Sequence, residues 1–123
     1  MNYLCLISAE VVMEQMTPEA AERHYAEYRD FTDAIRASGH LISCNRLKPP
    51  AEAMTVRVRS GQTLLTDGPY VETKEQMGGY YVIQAKDLNE AIQIAARIPG
   101  ARHGGVEVRP IADDQQTREA LSF

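Results

Sequence analysis

Apolar residues along the chain fall into short runs that predict the four strands of one sheet. Residues 3–7 form a continuous apolar run, which is typical of a central strand covered on both faces. Residues 41–45 and residues 80–83 predict the next two strands, and the second of these is rich in aromatic and β-branched side chains. Residues 106–109 alternate between apolar and charged side chains, which predicts a last strand.

A long helix is predicted between the first two strands. It begins after Thr17, which can cap it, with Pro18 at the first helical position and Glu19 at the positive end of the helix dipole. Gly39 ends it, as glycine commonly does just beyond a helix. Its apolar stripe recurs at three- and four-residue spacing. The stripe consists of Ala21, Tyr25 or His24, Tyr28, Phe31 and Ile35.

A second, shorter helix is predicted before the last strand. Asp87 caps it, and Glu90 three residues later completes a pair that resembles a capping box. Pro99-Gly100 ends it. Its predicted apolar face consists of Leu88, Ala91, Ile92, Ala95 and Ile98.

A β-hairpin is predicted between the second and third strands of the sheet. Residues 55–59 alternate, Ser60-Gly61 is a turn signal, and residues 62–66 return along the first arm. Asp67-Gly68-Pro69 is a second turn, and a polar loop follows through residues 72–75.

Without the hairpin, the predicted order is βαββαβ, which is the ferredoxin-like arrangement of an α+β protein. Both helices then lie on one face of an antiparallel sheet. The other face carries alternate side chains of strands rich in Leu, Ile, Val and Tyr, and no helix remains to cover it. We therefore expect a homodimer that forms through this open sheet face.

Composition and charge narrow the class of protein. The 123 residues suit one domain, which we place at residues 1–112, followed by a polar tail at residues 113–123 that is a short helix or frayed chain. The net charge is −4 with both signs interspersed, so a nucleic-acid partner is not expected. The apolar run near the start is too short to cross a membrane and lacks the features of a signal peptide, which favours a cytoplasmic location.

The two cysteines and three histidines do not predict a metal site. Cys5 and Cys44 lie in predicted strands, where reduced, buried thiols are expected. The sequence has no CxxC, no HExxH and no other cluster with the spacing of metal ligands. Glycine pairs precede strands rather than helices, which is not the context of a phosphate-binding loop. We expect neither a bound metal nor a redox cofactor.

The loop between the hairpin and the third strand carries a family resemblance. Residues 66–79, TDGPYVETKEQMGG, resemble the signature of the DGPF-type branch of the YCII-related family. The stretches at residues 28–31, 95–99 and 106–110 are similar to other recurring parts of that family. Tyr70 stands where the signature has phenylalanine, which keeps the ring and adds a hydroxyl.

The resemblance implies a dimeric ferredoxin-like α/β barrel, related in architecture to muconolactone isomerases and small haem-degrading monooxygenases. It also implies a genomic association with extracytoplasmic-function sigma factors, and it implies no known reaction. In the wider family a helix histidine with a nearby aspartate has been proposed as catalytic. Aligned on Gly39, that histidine falls at Tyr28, and His24 lies one turn earlier.

Three residues are candidates for acid–base catalysis. Asp67 is either a turn former or a carboxylate that faces a ligand, and Glu72 follows it in the polar loop, which is either a site or a solvated surface. His103 precedes the last strand and could serve as an acid or a base, although a surface histidine is the alternative. His24 and His40 are weaker candidates. We expect the loop to line a cleft with Asp67, Glu72 and His103 near one another.

Four further residues are candidates for ligand binding. Tyr28 on the inner stripe of the first helix is either a hydrogen-bond donor or a core residue, and Arg57 on the hairpin is either an anion clamp or a surface charge. Tyr70 and Lys74 belong to the polar loop.

Three functions agree with these patterns: a cofactor-free enzyme that uses acid–base chemistry on a small molecule, a ligand-binding or regulatory dimer linked to a sigma factor, and a purely structural dimer. The polar loop and His103 favour the first two. An enzyme requires its titrating groups to converge within reach of one reacting atom.

Overall fold

The computed structural model describes residues 1–11 and 13–121. The strands are β1 (Asn2–Ala9), β2 (Leu41–Arg46), β3 (Met54–Arg59), β4 (Gln62–Asp67), β5 (Gln76–Gln84) and β6 (Gly104–Pro110). The α-helices are α1 (Pro18–Ala37), α2 (Leu88–Ala95) and α3 (Gln115–Leu121). Short 3-10 helices occupy Met13–Gln15, Pro50–Glu52 and Pro99–Arg102.

Four strands form one antiparallel sheet in the order β2-β5-β1-β6. β1 lies between β5 and β6, and its continuous apolar sequence supplies apolar side chains to both faces of the sheet. The predicted ferredoxin-like α+β fold is confirmed. The strands β3 and β4 form a separate two-stranded sheet, so the hairpin is an addition to this core rather than part of its sheet.

Local signals set the ends of α1 as the sequence predicts. The Thr17 side chain accepts a hydrogen bond from the Ala20 backbone N–H at 3.2 Å, and Pro18 occupies the first turn. At the other end Gly39 has a φ of 82°, a left-handed conformation that glycine adopts without strain. Its N–H donates to the Arg36 carbonyl oxygen, which closes the helix and directs the chain into β2.

The core lies between the helices and one face of the sheet. Alternate side chains of β1 point into it, and Tyr3, Cys5 and Ile7 are all buried. Val106 and Val108 of β6 pack at its margin. The remaining buried apolar residues come from α1, from β5 and its end, and from α2 and the turn after it: Phe31, Ile35, Tyr81, Ile83, Ala85, Ala91, Ile94, Ala95 and Ile98.

The buried face of α2 differs from the predicted one. Ala91, Ala95 and Ile98 are buried as expected, but Leu88 is 48% exposed and Ile92 is 50% exposed. Ile94, which the prediction left out, is buried instead. Because α2 has only eight residues, two overlapping apolar stripes fit its sequence equally well, and only the packing against the sheet selects one.

The opposite face of the sheet carries Leu4 and Leu6 from β1 and Tyr80 and Val82 from β5, all half-buried. The hairpin exposes a stripe of apolar side chains along β3. None of the helices in the described part of the chain is long and apolar enough to cross a membrane.

Candidate functional site

A cleft of about 350 Å³ opens at one end of the sheet, between α1 and the strands. We call it the main cleft. The end of β1, the end of β2 with the segment that follows it, the start of β5 and the turn at Gly100 and His103 all contribute to its walls. Ile7, Met13 and Met16 add apolar surface. Concave sites with mostly apolar walls and a few polar groups are typical of small-molecule binding.

Two histidines and a tyrosine meet at the edge of this cleft nearest β6. His24 and Tyr28 lie one turn apart on α1, and their rings contact edge to face with centroids 4.8 Å apart. The His103 ring lies 6.1 Å from that of His24. His103 is 79 positions away in sequence, and the 3-10 helix Pro99–Arg102 carries it to α1. Three groups able to exchange or share protons therefore face one volume.

Gly100 allows Tyr28 to reach its position. The Gly100 N–H donates a hydrogen bond to the Tyr28 hydroxyl oxygen at 3.1 Å. A Cβ at this glycine would lie 2.6 Å from the Tyr28 hydroxyl oxygen and 2.7 Å from Cγ2 of Ile7, closer than real carbon contacts allow. The backbone of the turn thus approaches the ring as only glycine permits.

The surroundings favour a neutral His24. Partial burial lowers the pKa of its imidazole, the charge of nearby His103 and Arg102 lowers it further, and Glu27 opposes the shift. Glu27 and Arg102 form an ion pair beside it. A neutral imidazole can accept a proton at physiological pH, which a charged one cannot.

Tyr28 keeps its proton. Burial raises the pKa of its hydroxyl to about 12, in spite of the hydrogen bond from Gly100. The hydroxyl oxygen accepts from Gly100, so its O–H is a donor that a ligand oxygen in the cleft can use. The site therefore combines a proton acceptor, His24, with a hydroxyl donor, Tyr28, that is protonated at neutral pH.

An aromatic wall backs these groups. The ring of Tyr81 lies parallel to that of Tyr28, with centroids 6.4 Å apart and an interplanar angle of 6°. Its hydroxyl shares a hydrogen bond with Thr32 Oγ1 at 2.6 Å, and Phe31 packs against it edge to face. Because this hydroxyl already has a partner on α1, Tyr81 supplies mainly its ring to the cleft.

A second cleft adjoins the first and shares His24 and His103 with it. It is more polar, with Glu10, Glu27 and Glu75 among its lining residues. In residues 1–11 and 13–121, no group of three or more His, Cys, Asp or Glu side chains has the arrangement of a metal site.

The structure brings together two of the predicted site residues and leaves the others apart. Tyr28 and His103 line the main cleft, whereas Asp67 and Glu72 are exposed and line neither cleft. Asp67 is the last residue of β4 and pairs with Met54, and Gly68 after it has a φ of 101°. In the single chain Asp67 therefore lies at the end of a strand, directly before the bend at Gly68.

The other three predicted ligand-binding residues also lie outside both clefts. The Arg57 guanidinium lies 5.2 Å from the centre of the Tyr70 ring, and Lys74 Nζ lies 3.3 Å from a carboxylate oxygen of Glu10. These contacts tie the polar loop to the hairpin and to the end of β1. The functional roles assigned to these residues and to Asp67 and Glu72 stay predictions.

His24 was a weaker candidate in the sequence, and the structure places it in the lining of both clefts. Its signal was its place on the margin of the α1 stripe, one turn before Tyr28. Cys44 also differs from expectation, because this thiol is only half-buried and lines the main cleft, whereas Cys5 is buried as expected.

Comparison with known proteins agrees with this fold. A YCII-related domain matches residues 1–114. The chain belongs to the YCII-related family. An uncharacterized protein of Rhizobium meliloti (strain 1021) is 37% identical to it over 105 residues, which cover 84% of this chain and 75% of that protein. The resemblance seen in the sequence is therefore confirmed.

A solved structure shares the fold at low sequence identity. It is 5-chloro-2-hydroxyhydroquinone dehydrochlorinase (TftG) from Burkholderia phenoliruptrix AC1100, in complex with 2,5-dihydroxybenzoquinone. The alignment has a TM-score of 0.51 and 11% identity, and it covers 94% of this YCII-related chain and 98% of the other. At this identity the likeness concerns the fold alone.

Proposed function

We propose that this YCII-related protein is a cofactor-free enzyme that moves protons on a small, planar, oxygen-bearing ring bound in the main cleft. The observation that carries the proposal is the pair of imidazoles, His24 and His103, with ring centroids 6.1 Å apart at the edge of an apolar cleft. Two such groups can act on opposite sides of one ligand atom or on adjacent atoms.

The proposed roles follow from the environment of each group. His24, whose pKa is lowered by burial, accepts a proton from a hydroxyl or an acidic C–H of the ligand. The Tyr28 hydroxyl donates a hydrogen bond to a ligand oxygen and stabilises the negative charge that develops on it. His103 is exposed, so it can exchange with solvent the proton that the reaction gains or loses.

A ring-shaped ligand is supported by the shape and chemistry of the wall. Tyr28 and Tyr81 present parallel rings, and Met13 and Met16 add flexible apolar surface. The structural relative named above holds 2,5-dihydroxybenzoquinone, a ligand of the same general shape and chemistry, although at 11% identity this agreement is only an analogy.

The assembly belongs to the proposal as well. We infer a homodimer through the open sheet face. An apolar patch lies there, outside the core that α1 and α2 cover, and it consists of Leu4, Leu6, Tyr80 and Val82. The link to a sigma factor stays a prediction of the family resemblance. It belongs to the alternative function, in which the same cleft binds a ligand without turnover and the dimer is regulatory.

Hydrogen–deuterium exchange at carbon tests the proposal. The ring C–H groups of 2,5-dihydroxybenzoquinone lie between oxygen-bearing carbons, and they exchange with solvent by proton transfer to and from the carbon. We expect the protein in D₂O to accelerate the loss of this proton NMR signal, and His24→Gln to slow the catalysed exchange about 100-fold, which is typical for removal of a general base.

His40→Gln is the matched control. His40 bonds to Ser38 at 2.7 Å at the start of β2 and lines neither cleft, so its loss should leave the exchange unchanged. Binding of the quinone without accelerated exchange would favour the regulatory alternative. Equal exchange rates for the wild type and His24→Gln would contradict the role proposed for His24.

A further inference from the structure

The edge of the main cleft at the end of β2 differs in chemistry from the edge that carries His24 and His103. Arg46, the last residue of β2, and Lys48, two residues beyond it, both line the cleft. This edge therefore carries two basic side chains, each paired with a glutamate: Arg46 with Glu14 at 2.6 Å and Lys48 with Glu52 at 3.6 Å. The edge near β6 carries the imidazoles. The proposed proton transfer makes no use of these two cations.

Arg46 is already occupied by a carboxylate. Its Nη1 donates to Oε1 of Glu14 at 2.6 Å, and Glu14 belongs to the 3-10 helix Met13–Gln15, which forms part of the cleft wall. The hydrogen bond from Arg46 lowers the pKa of the Glu14 carboxyl, and the charges of Arg46 and Lys48 add to this. The arrangement shows that a carboxylate fits against Arg46 inside the cleft wall.

Another anion can replace Glu14 in the ion pair with Arg46. The two side chains are 44% and 38% exposed, and the hydrogen bond between them uses Nη1 of a guanidinium that carries five N–H donors. Exposed ion pairs contribute little to stability, so an incoming anion does not have to disrupt a strong contact. The guanidinium also lies 6.0 Å from the centre of the Tyr25 ring, which keeps it beside α1.

Sheet geometry gives the span between the two edges. β2 and β6 are the edge strands of the order β2-β5-β1-β6, so three strand spacings separate them, or about 14 Å between backbones. The Arg46 side chain and the imidazole of His103 reach inward from these two edges. The space between the Arg46 guanidinium and the His103 imidazole suits a ring that bears a short acidic side chain.

We propose that the main cleft binds a small aromatic acid, whose ring oxygen faces His24 and Tyr28 and whose carboxylate takes the place of Glu14 on Arg46. This inference rests on the proposed function, because it names the substrate class of the same site. In the free protein Glu14 occupies the anion position, and it swings away when the ligand carboxylate arrives. Arg46 thereby selects acids over neutral analogues of the same shape.

A matched pair of probes separates charge from shape. 3-(4-Hydroxyphenyl)propanoate and its amide differ only in the charged group, and both carry a phenolic hydroxyl at the far end. We expect calorimetry to show that the acid binds about 2- to 5-fold more tightly than the amide, because an ion pair with a partly exposed arginine is weak and the ligand carboxylate must displace Glu14. Proton NMR should show both probes shifting the His24 and His103 imidazole resonances.

Variants at the pair then identify the groups. Arg46→Gln should remove the preference for the acid and leave the affinity for the amide within about twofold. Glu14→Gln should strengthen binding of the acid several-fold, because it removes the competing carboxylate while leaving Arg46 in place. Arg118→Gln is the control, since Arg118 pairs with Asp113 at 3.7 Å near the C-terminal helix and lines neither cleft.

The outcomes distinguish this inference from the proposed function. If both probes shift the imidazole resonances but bind with equal affinity, the anion position is wrong and the proton-transfer site stands. If Arg46→Gln weakens binding of the acid and of the amide to the same extent, the Arg46–Glu14 pair only stabilises the cleft wall, and the inference is wrong. If neither probe shifts either imidazole, both proposals are overturned for phenolic ligands.

Discussion

The substitution Gly100→Ala adds one methyl group where the turn before β6 contacts Tyr28. The new Cβ would lie 2.6 Å from the Tyr28 hydroxyl oxygen and 2.7 Å from Ile7 Cγ2. Neither neighbour is free to move far, because Tyr28 packs at the margin of the core and Ile7 is buried within it. The turn must therefore shift away from α1.

The expected cost combines two effects. Overpacking a filled site costs about 1–3 kcal/mol, and loss of the Gly100–Tyr28 hydrogen bond adds about 1 kcal/mol. A lower backbone entropy of the unfolded alanine chain offsets about 0.5–1 kcal/mol. The net loss of unfolding free energy is about 1–3.5 kcal/mol. For a chain of 123 residues this lowers the melting temperature by roughly 3–17 °C.

Differential scanning calorimetry of three variants checks the reasoning. Gly105→Ala is the control, since a Cβ at Gly105 meets nothing within 4 Å, and its melting temperature should stay close to that of the wild type. In a Tyr28→Phe background the same Gly100→Ala change should cost about 1 kcal/mol less, because the contact with the hydroxyl is gone. A Gly100→Ala protein that melts within about 1 °C of the wild type would refute the proposed contact.

Four further predictions concern pH, assembly, the polar loop and metal content. Because burial lowers the pKa of folded His24 below its ordinary value of about 6.5, its unfolded form binds more protons below that pH. Urea unfolding should thus show stability falling as the pH drops below about 6.5, and His24→Gln should reduce this dependence. Light scattering at micromolar concentration should give twice the 13.7 kDa chain mass, and Leu6→Asp, which charges the open sheet face, should give the single-chain mass; a wild-type monomer would contradict the dimer. Asp67→Asn should leave ligand binding and melting temperature nearly unchanged, since asparagine also suits the turn, and a loss of binding with the fold intact would restore Asp67 to the site. Elemental analysis of untagged protein should find no stoichiometric transition metal, and one zinc per chain would overturn that expectation.

The fold was predictable from local signals, because most of its boundaries have local causes. Thr17 with Pro18 begins α1, Gly39 ends it, and the unbroken apolar run of β1 marks the central strand. The buried face of α2 was only partly predictable, since a helix of eight residues is too short for its period to be read without the sheet it packs on.

The candidate site was only partly predictable. Tyr28 and His103 could be named from their types and positions, but their meeting depends on a turn that brings together residues more than 70 positions apart. Burial, followed by the charge of nearby His103, lowers the pKa of His24, and no spacing in α1 reveals either cause. Asp67 was favoured because its loop is dense in polar groups, yet a dense polar loop is also what a solvated turn requires.

Chemical-shift mapping with 2,5-dihydroxybenzoquinone is the most direct measurement of the central claim that the main cleft is the binding site. Isotope-labelled protein is titrated with the quinone, and the side-chain and backbone resonances are followed. If the main cleft is the binding site, we expect the largest shifts at His24, Tyr28, Gly100 and His103, with saturation at a single site per chain. Shifts confined to the polar loop at residues 67–75, with the His24 and His103 resonances unmoved, would contradict it.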